Sequence, residues 1–257
     1  MISASLQTIV EARRDRARAP LSKSHLGVAG LIPHPVLDSP LMKMGGYEIF
    51  EGIPGKGQFE RLQSEVLRLI VKACQSDLAV SESGGIPARR QLRTAGGKFQ
   101  RAFYHGRRTL RFLREVSGLP VEPTGAFGAY LYYTRPGDYV APHRDGEGCD
   151  LVVITCLYDA ASPSSDGGML CLYPDRLFER IDGIRATPEK RAVKVRIAPG
   201  QTMVLFGGYV AHSVLPVCEG QRRIVSSLCY RLVIPRHIST KQPAGTKEEE
   251  EKKPKKN

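Results

Sequence analysis

The chain is poor in the features that mark specialised protein classes. None of its six cysteines (Cys74, Cys149, Cys156, Cys171, Cys218 and Cys229) stands in a CxxC pair, which argues against a structural zinc site. The longest apolar stretch, around Leu151–Leu157, is too short to cross a bilayer. The first residues, MISASLQTIVEARR, have no basic segment leading into an apolar one, so no signal peptide is expected. No internal repeat is visible. What remains is ordinary globular composition: 257 residues, 41% hydrophobic and 25% charged. A chain of that size buries roughly 70–75% of its unfolded surface and needs no cross-links to fold. The expectation is a soluble cytoplasmic protein with reduced thiols packed as small hydrophobes and no membrane association.

Acidic residues are also scarce. Asp and Glu number 26 against 38 Lys and Arg, a formal charge of +12. The last seventeen residues, 241–257, hold six Lys and four Glu, so the body keeps +10 without them. Such a balance favours anionic partners without choosing among nucleic acid, an acidic carrier protein and an anionic substrate. The imbalance is greatest over 89–114, where nine basic residues meet no acid and Phe99, Phe103, Tyr104 and Phe112 are interleaved. This stretch reads as a solvated helix face and loop with the aromatics turned inward, as a surface for nucleic acid or an acidic partner, or as a grip for an anionic substrate.

Residues 3–18 read as a short amphipathic helix, and the Pro- and Gly-rich stretch 20–57 as an extended arm with one short strand at 47–50. Phe59, Leu62, Val66, Leu69, Ile70, Ala73 and Leu78 recur at helical spacing and predict a helix over about 58–79. A second helix is predicted over 107–117, stopped by Gly118–Pro120. The support region 58–124 is therefore expected to be helical. After 125 the pattern turns β, in short runs rich in β-branched and aromatic residues separated by Gly, Pro and Asp. Eight short strands are predicted at 126–134, 138–143, 150–158, 168–173, 192–198, 202–206, 209–215 and 222–234, a spacing suited to a sandwich or barrel over 125–238. The tail, 239–257, is low in complexity and expected to be disordered.

One string stands out chemically: Tyr139-Val-Ala-Pro-His143-Arg-Asp145. On a strand, residues two apart share a face, so His143 and Asp145 present an imidazole and a carboxylate side by side while Arg144 points away. Of the six histidines, His212 is the best third member, because it lies in another β-patterned segment, Tyr209–Pro216. Two His and one carboxylate form the facial triad of non-haem Fe(II), which leaves adjacent positions open for a chelating co-substrate and O2.

The surrounding blocks sharpen this reading. Tyr133 to Asp145, the hydrophobic strand Leu151–Tyr158, Asp166-Gly167-Gly168-Met-Leu170-Cys-Leu-Tyr173, Ala198-Pro199-Gly200 to Phe206, and His212-Ser-Val-Leu-Pro216-Val-Cys-Glu-Gly220-Gln-Arg222 stand in one order. Together they resemble the Fe(II)/2-oxoglutarate-dependent dioxygenases of the prolyl 4-hydroxylase-like branch. The resemblance implies a mainly β fold with flanking α-helices around a double-stranded β-helix, a jelly-roll or cupin-like barrel. It implies Fe(II) held by His143, Asp145 and His212, with 2-oxoglutarate and O2 as co-substrates. The family pattern puts the arginine that grips the distal carboxylate of 2-oxoglutarate at Arg222. Strand alternation alone leaves Arg223 as a competitor. Tyr133 resembles the tyrosine that bonds the same carboxylate, with Tyr132 alongside.

The implied reaction is hydroxylation of an unactivated C–H bond of a small-molecule or peptidyl substrate, coupled to conversion of 2-oxoglutarate into succinate and CO2. Asp145 occupies the position that is a small residue in the family's halogenases, so hydroxylation is favoured over halogenation. A nucleic-acid-directed dioxygenase and a non-catalytic barrel are the rival readings.

Overall fold

The computed structural model describes residues 32–81, 86–125, 128–146, 148–160 and 165–234. The helix expected over 3–18, the tail 239–257, and His25, His237 and Glu147 lie outside the described residues. The elements run α1 (His34–Leu37), α2 (Pro40–Lys43), β1 (Tyr47–Glu51), α3 (Lys56–Leu69), β2 (Cys74–Leu78), β3 (Arg89–Ala95), α4 (Lys98–Tyr104), α5 (Arg107–Ser117), β4 (Val121–Pro123), β5 (Ala129–Tyr133), β6 (Tyr139–His143) and β7 (Leu151–Asp159). They continue with β8 (Leu170–Leu172), α6 (Ile181–Ala186), β9 (Val193–Val195), β10 (Gln201–Leu205), β11 (His212–Val214) and β12 (Arg223–Leu232).

All pairings are antiparallel, in the order β1-β10-β7-β12-β5-β3-β6-β11-β8-β9, with β2 on β3 and β4 on β12. The sheet curls on itself as a double-stranded β-helix. Each of the eight strands expected after residue 125 is present, mostly trimmed by one to several residues at its ends. Strand β7 is buried on both faces from Leu151 to Leu157 because one side faces the barrel interior and the other is covered by helix α3. Gln63 of α3 donates to the Leu157 carbonyl at 2.9 Å.

The region before residue 125 differs from its expectation. Helix α3 ends at Leu69 and passes through a 3-10 turn, Ile70–Lys72, so the predicted helix over about 58–79 runs nearly three turns too far. The remainder, Cys-Gln-Ser-Asp-Leu, forms strand β2. Beyond it, Arg89–Ala95 is a strand inserted between β5 and β6. These two strands hold few β-branched or aromatic residues, the usual sign of a strand, so neither shows a strand signal. Helix α5 matches its prediction and stops at Gly118, whose φ of 70° is the left-handed C-terminal conformation that glycine adopts without steric cost.

A buried carboxylate ties the helices to the sheet. Glu65 of α3 accepts the backbone N–H groups of Phe99 and Gln100 at the start of α4, at 2.9 and 3.0 Å, and the hydroxyl of Tyr130 at 2.8 Å. Burial and this carboxylate together push the Tyr130 phenol up. Phe103, Tyr104 and Phe112 pack inward, while Arg101, Arg107, Arg108, Arg111 and Arg114 face solvent. No helix among the described residues is long and apolar enough to cross a membrane.

The cysteines correct one expectation. Cys149 and Cys229 are joined in a disulfide, so the six thiols are not all free. Strand pairing brings them together: Cys149 lies two residues before Leu151, which pairs with Tyr230, the neighbour of Cys229. Their Cα atoms stand 4.9 Å apart, inside the range a disulfide spans. Cys74, Cys156, Cys171 and Cys218 are free.

Candidate metal centre and co-substrate pocket

The sheet brings His143 and His212 directly opposite one another on β6 and β11. Their ring centroids are 4.3 Å apart. Each Nδ1 lies against the carbonyl two residues back, His143 on Ala141 at 3.0 Å and His212 on Val210 at 3.1 Å. A carbonyl can only accept, so Nδ1 carries the proton and Nε2 presents its lone pair. Both Nε2 atoms point at Asp145, each 3.7 Å from its Oδ1. One ligand atom from each of the three residues lies within 4.8 Å of the others. Burial pulls both imidazoles down to about 4, helped at His143 by repulsion from His212, so both are neutral near pH 7. Burial pushes the Asp145 carboxyl up.

Two further observations show that the cluster suits a cation. Asp145 Oδ2 is buried and accepts no hydrogen bond. Beside it, a Cβ built on Gly207 would stand 1.9 Å from that same oxygen, so only glycine leaves the carboxylate its place. The Asp145 N–H also donates to the Gly207 carbonyl at 2.8 Å. Two neutral imidazoles and a carboxylate are the donor set of a facial triad, with the histidine orientation set by backbone carbonyls.

Arg144 points the other way, as expected. Its Nε donates to the Tyr209 carbonyl at 2.8 Å and its Nη2 to those of Leu177 and Glu179 at 2.9 and 3.0 Å. It thereby pins the end of β6 to the chain entering β11. Asp150 is not part of the cluster: its carboxylate accepts the Tyr209 hydroxyl and the Leu232 N–H. His105 is exposed, and His34 pairs with Asp38 on the surface.

The cluster opens on a cavity of about 980 Å³ inside the curl of the sheet. Arg223 and Tyr133 line it, directly opposite each other on β12 and β5. Arg222, the position favoured by the sequence pattern, is exposed and turned away, whereas Arg223 is 1% exposed. The reason is the register: β12 starts at Arg223, which pairs with both Tyr133 and Asp159, and Arg222 still belongs to the preceding turn. Arg223 Nη1 donates to Asp159 at 2.8 Å and to the Ile197 carbonyl at 3.2 Å, while Nη2 is buried with no partner. Asp159 also receives Arg196 at 2.9 Å, so two guanidinium groups share one carboxylate and the pole keeps a surplus positive charge. The Tyr133 phenol is pushed up by burial, against the pull of Arg223, and stays protonated as a donor.

Sequence reasoning missed Gly207 and Gln91. Gly207 could have been found only as part of the Gly207-Gly208 pair before Tyr209. Gln91 sits on the unforeseen strand β3, lines the cavity and has a buried Oε1 without a partner.

No family model and no curated protein matches the sequence. Solved structures do match the fold. The non-haem α-ketoglutarate-dependent epimerase SnoN from nogalamycin biosynthesis superposes with a TM-score of 0.53 at 16% identity, over 72% of this chain and 77% of its own. This chain has the fold of the 2-oxoglutarate/Fe(II) oxygenases. HygX from Streptomyces hygroscopicus, solved with nickel, 2-oxoglutarate and hygromycin B, gives 0.52 at 17% identity over 77% and 87%. A prolyl hydroxylase from Trichoplax adhaerens, in complex with a hypoxia inducible factor peptide, gives 0.51 at 14% over 88% and 92%. At these identities the likeness is one of oxygenase fold.

Proposed function

We propose that the protein is an Fe(II)- and 2-oxoglutarate-dependent oxygenase that hydroxylates an unactivated C–H bond of a small-molecule or peptidyl substrate. One observation carries the reading: the Nε2 atoms of His143 and His212 and the Asp145 carboxylate converge at a cavity whose lining also holds an unpaired guanidinium nitrogen. His143, Asp145 and His212 would hold the iron. Iron with 2-oxoglutarate and O2 supplies the oxidising power, with succinate and CO2 as the co-products.

The chain supplies the rest. Ala141 and Val210 carbonyls keep both imidazoles in the ligating tautomer, so no proton has to leave either ring when metal enters. Arg223 Nη2, with Nη1 braced by Asp159, is set to receive the distal carboxylate of 2-oxoglutarate, and the Tyr133 hydroxyl to donate to it. The aliphatic side chains Val140, Val152, Ile154, Leu170, Val214 and Val225 exclude water around the reacting carbon.

The test is succinate release from 2-oxoglutarate by purified protein with Fe(II) and ascorbate. Release that disappears when His212 is replaced by Ala supports the proposal. A folded, metal-loaded protein that consumes no 2-oxoglutarate with any compound of a broad amino-acid, peptide and glycoside panel would sink it.

A further inference from the structure

The inward face of β3 is unlike the rest of the cavity. Around the curl, the wall between the metal cluster and Arg223 is mostly aliphatic. Strand β3 instead turns Arg89, Gln91 and Arg93 toward it. Arg93 stands opposite Leu131, Leu131 opposite Val225, and Arg89 opposite Val140 on the strand of His143. Leu92 pairs with Tyr132, which puts Gln91 beside Tyr133 in the row that ends at Arg223.

The other cationic groups of the lining are already engaged. Arg144 is held by backbone carbonyls, Arg180 and Arg185 share Asp182, and Arg223, braced by Asp159, is assigned by the proposed function to 2-oxoglutarate. Arg89 donates only to the Ser76 hydroxyl and the Pro87 carbonyl. Among the described residues no carboxylate pairs with Arg89 or Arg93. Gln91 is 6% exposed, yet its Oε1 meets no donor. Two guanidinium groups without a carboxylate partner, half-buried Arg89 and exposed Arg93, flank an unsatisfied buried carbonyl on one wall of the cavity and form a receptor there. An oxyanion there meets charge-assisted donors from both guanidinium groups.

We propose that this wall is the substrate subsite: the oxidised substrate bears a carboxylate or phosphate-type oxyanion held by Arg89 and Arg93. An N–H or O–H of the same molecule donates to Gln91. The inference rests on the proposed function above and assigns the substrate class for that site. The cavity, at the top of the roughly 300–1,000 Å³ range of ligand pockets, has room for this second anion beside 2-oxoglutarate. With the oxyanion on β3, the apolar remainder of the molecule lies along Val140 and Val214 toward His143 and His212.

The test is isothermal titration of Ni(II)- and 2-oxoglutarate-loaded protein with benzoate, phenyl phosphate and the neutral isostere benzamide. Benzoate or phenyl phosphate should bind about tenfold tighter than benzamide, the worth of one charge-assisted contact. Arg93→Gln and Arg89→Gln/Arg93→Gln should erase that preference. Whichever anion binds tighter identifies the carboxylate or the phosphate source. Equal binding of benzamide, no binding of either anion, or a preference that survives in the double variant overturns the subsite. Titration of 2-oxoglutarate itself reports separately on the proposed function. Should it fail to bind, Arg223→Gln protein, which lacks the other anion pole, carries the same three titrations.

Discussion

The two poles of the cavity, the His143–Asp145–His212 cluster proposed for metal and Arg223 proposed for the 2-oxoglutarate carboxylate, are held in opposite ways. At the metal pole the supports are local: each histidine leans on a carbonyl two residues earlier in the chain. At the arginine pole the supports are distant: Arg223 is braced by Asp159 and Ile197, 64 and 26 residues away. Local support makes a residue readable from its neighbours. Distant support makes its place depend on how the whole sheet closes. The comparison also predicts how each pole fails, since a locally held ligand can be removed singly, while a distantly held one disturbs the network that positions it.

The sharpest way to break the comparison is at the metal pole. His143→Ala, Asp145→Ala or His212→Ala should bring 2-oxoglutarate consumption to background while circular dichroism shows an intact fold. Activity retained by any one of them removes that residue from the ligand set. Next comes Gly207→Ala, whose new methyl group must displace the Asp145 carboxylate. Metal affinity should fall about 10–100-fold, the usual cost of disturbing a ligand's support, as read by competition with a metal-binding dye. At the far pole, Arg223→Gln should raise the KM for 2-oxoglutarate by about 10–100-fold, from a lost charged hydrogen bond worth roughly 1.5–3 kcal/mol. Arg222→Gln should change it less than about twofold, because an exposed charge contributes little. Kinetics that reverse this ranking would return the role to Arg222.

The smaller effects are on stability. Reducing the Cys149–Cys229 bridge, or replacing both cysteines by Ser, should cost about 2–5 kcal/mol, since the bridge closes a loop of 80 residues in the unfolded chain. Urea midpoints with and without reductant measure it. Glu65→Gln should cost about 1–3 kcal/mol by weakening the bonds to the start of α4 and to Tyr130, with little effect on the iron site. A loss of succinate release equal to the loss of folded protein would confirm that Glu65 acts only on stability.

What could be read in advance follows the same division. Strands after residue 125 are short runs rich in β-branched and aromatic residues bounded by turn residues and were legible one by one, as was helix α5 with its terminal glycine. The triad was legible because His-x-Asp fixes two groups on one face before any tertiary contact forms. Arg223 was not separable from Arg222, because only the register of β12 against β5 and β7 decides which of two adjacent side chains turns inward. Strands β2 and β3 were hidden for another reason. Their cavity- and solvent-facing positions are polar, so the hydrophobic period that signals a strand is missing. The disulfide was equally invisible, since nothing local links Cys149 to a residue 80 positions on.

Strand β3 enters the sheet between two strands of the later half, yet it is encoded well upstream of them. The proposed substrate subsite and the proposed iron ligands therefore stand on separate stretches of the chain. If the proposed subsite holds, exchanging the seven residues Arg89–Ala95 is a route to new selectivity that leaves His143, Asp145 and His212 untouched.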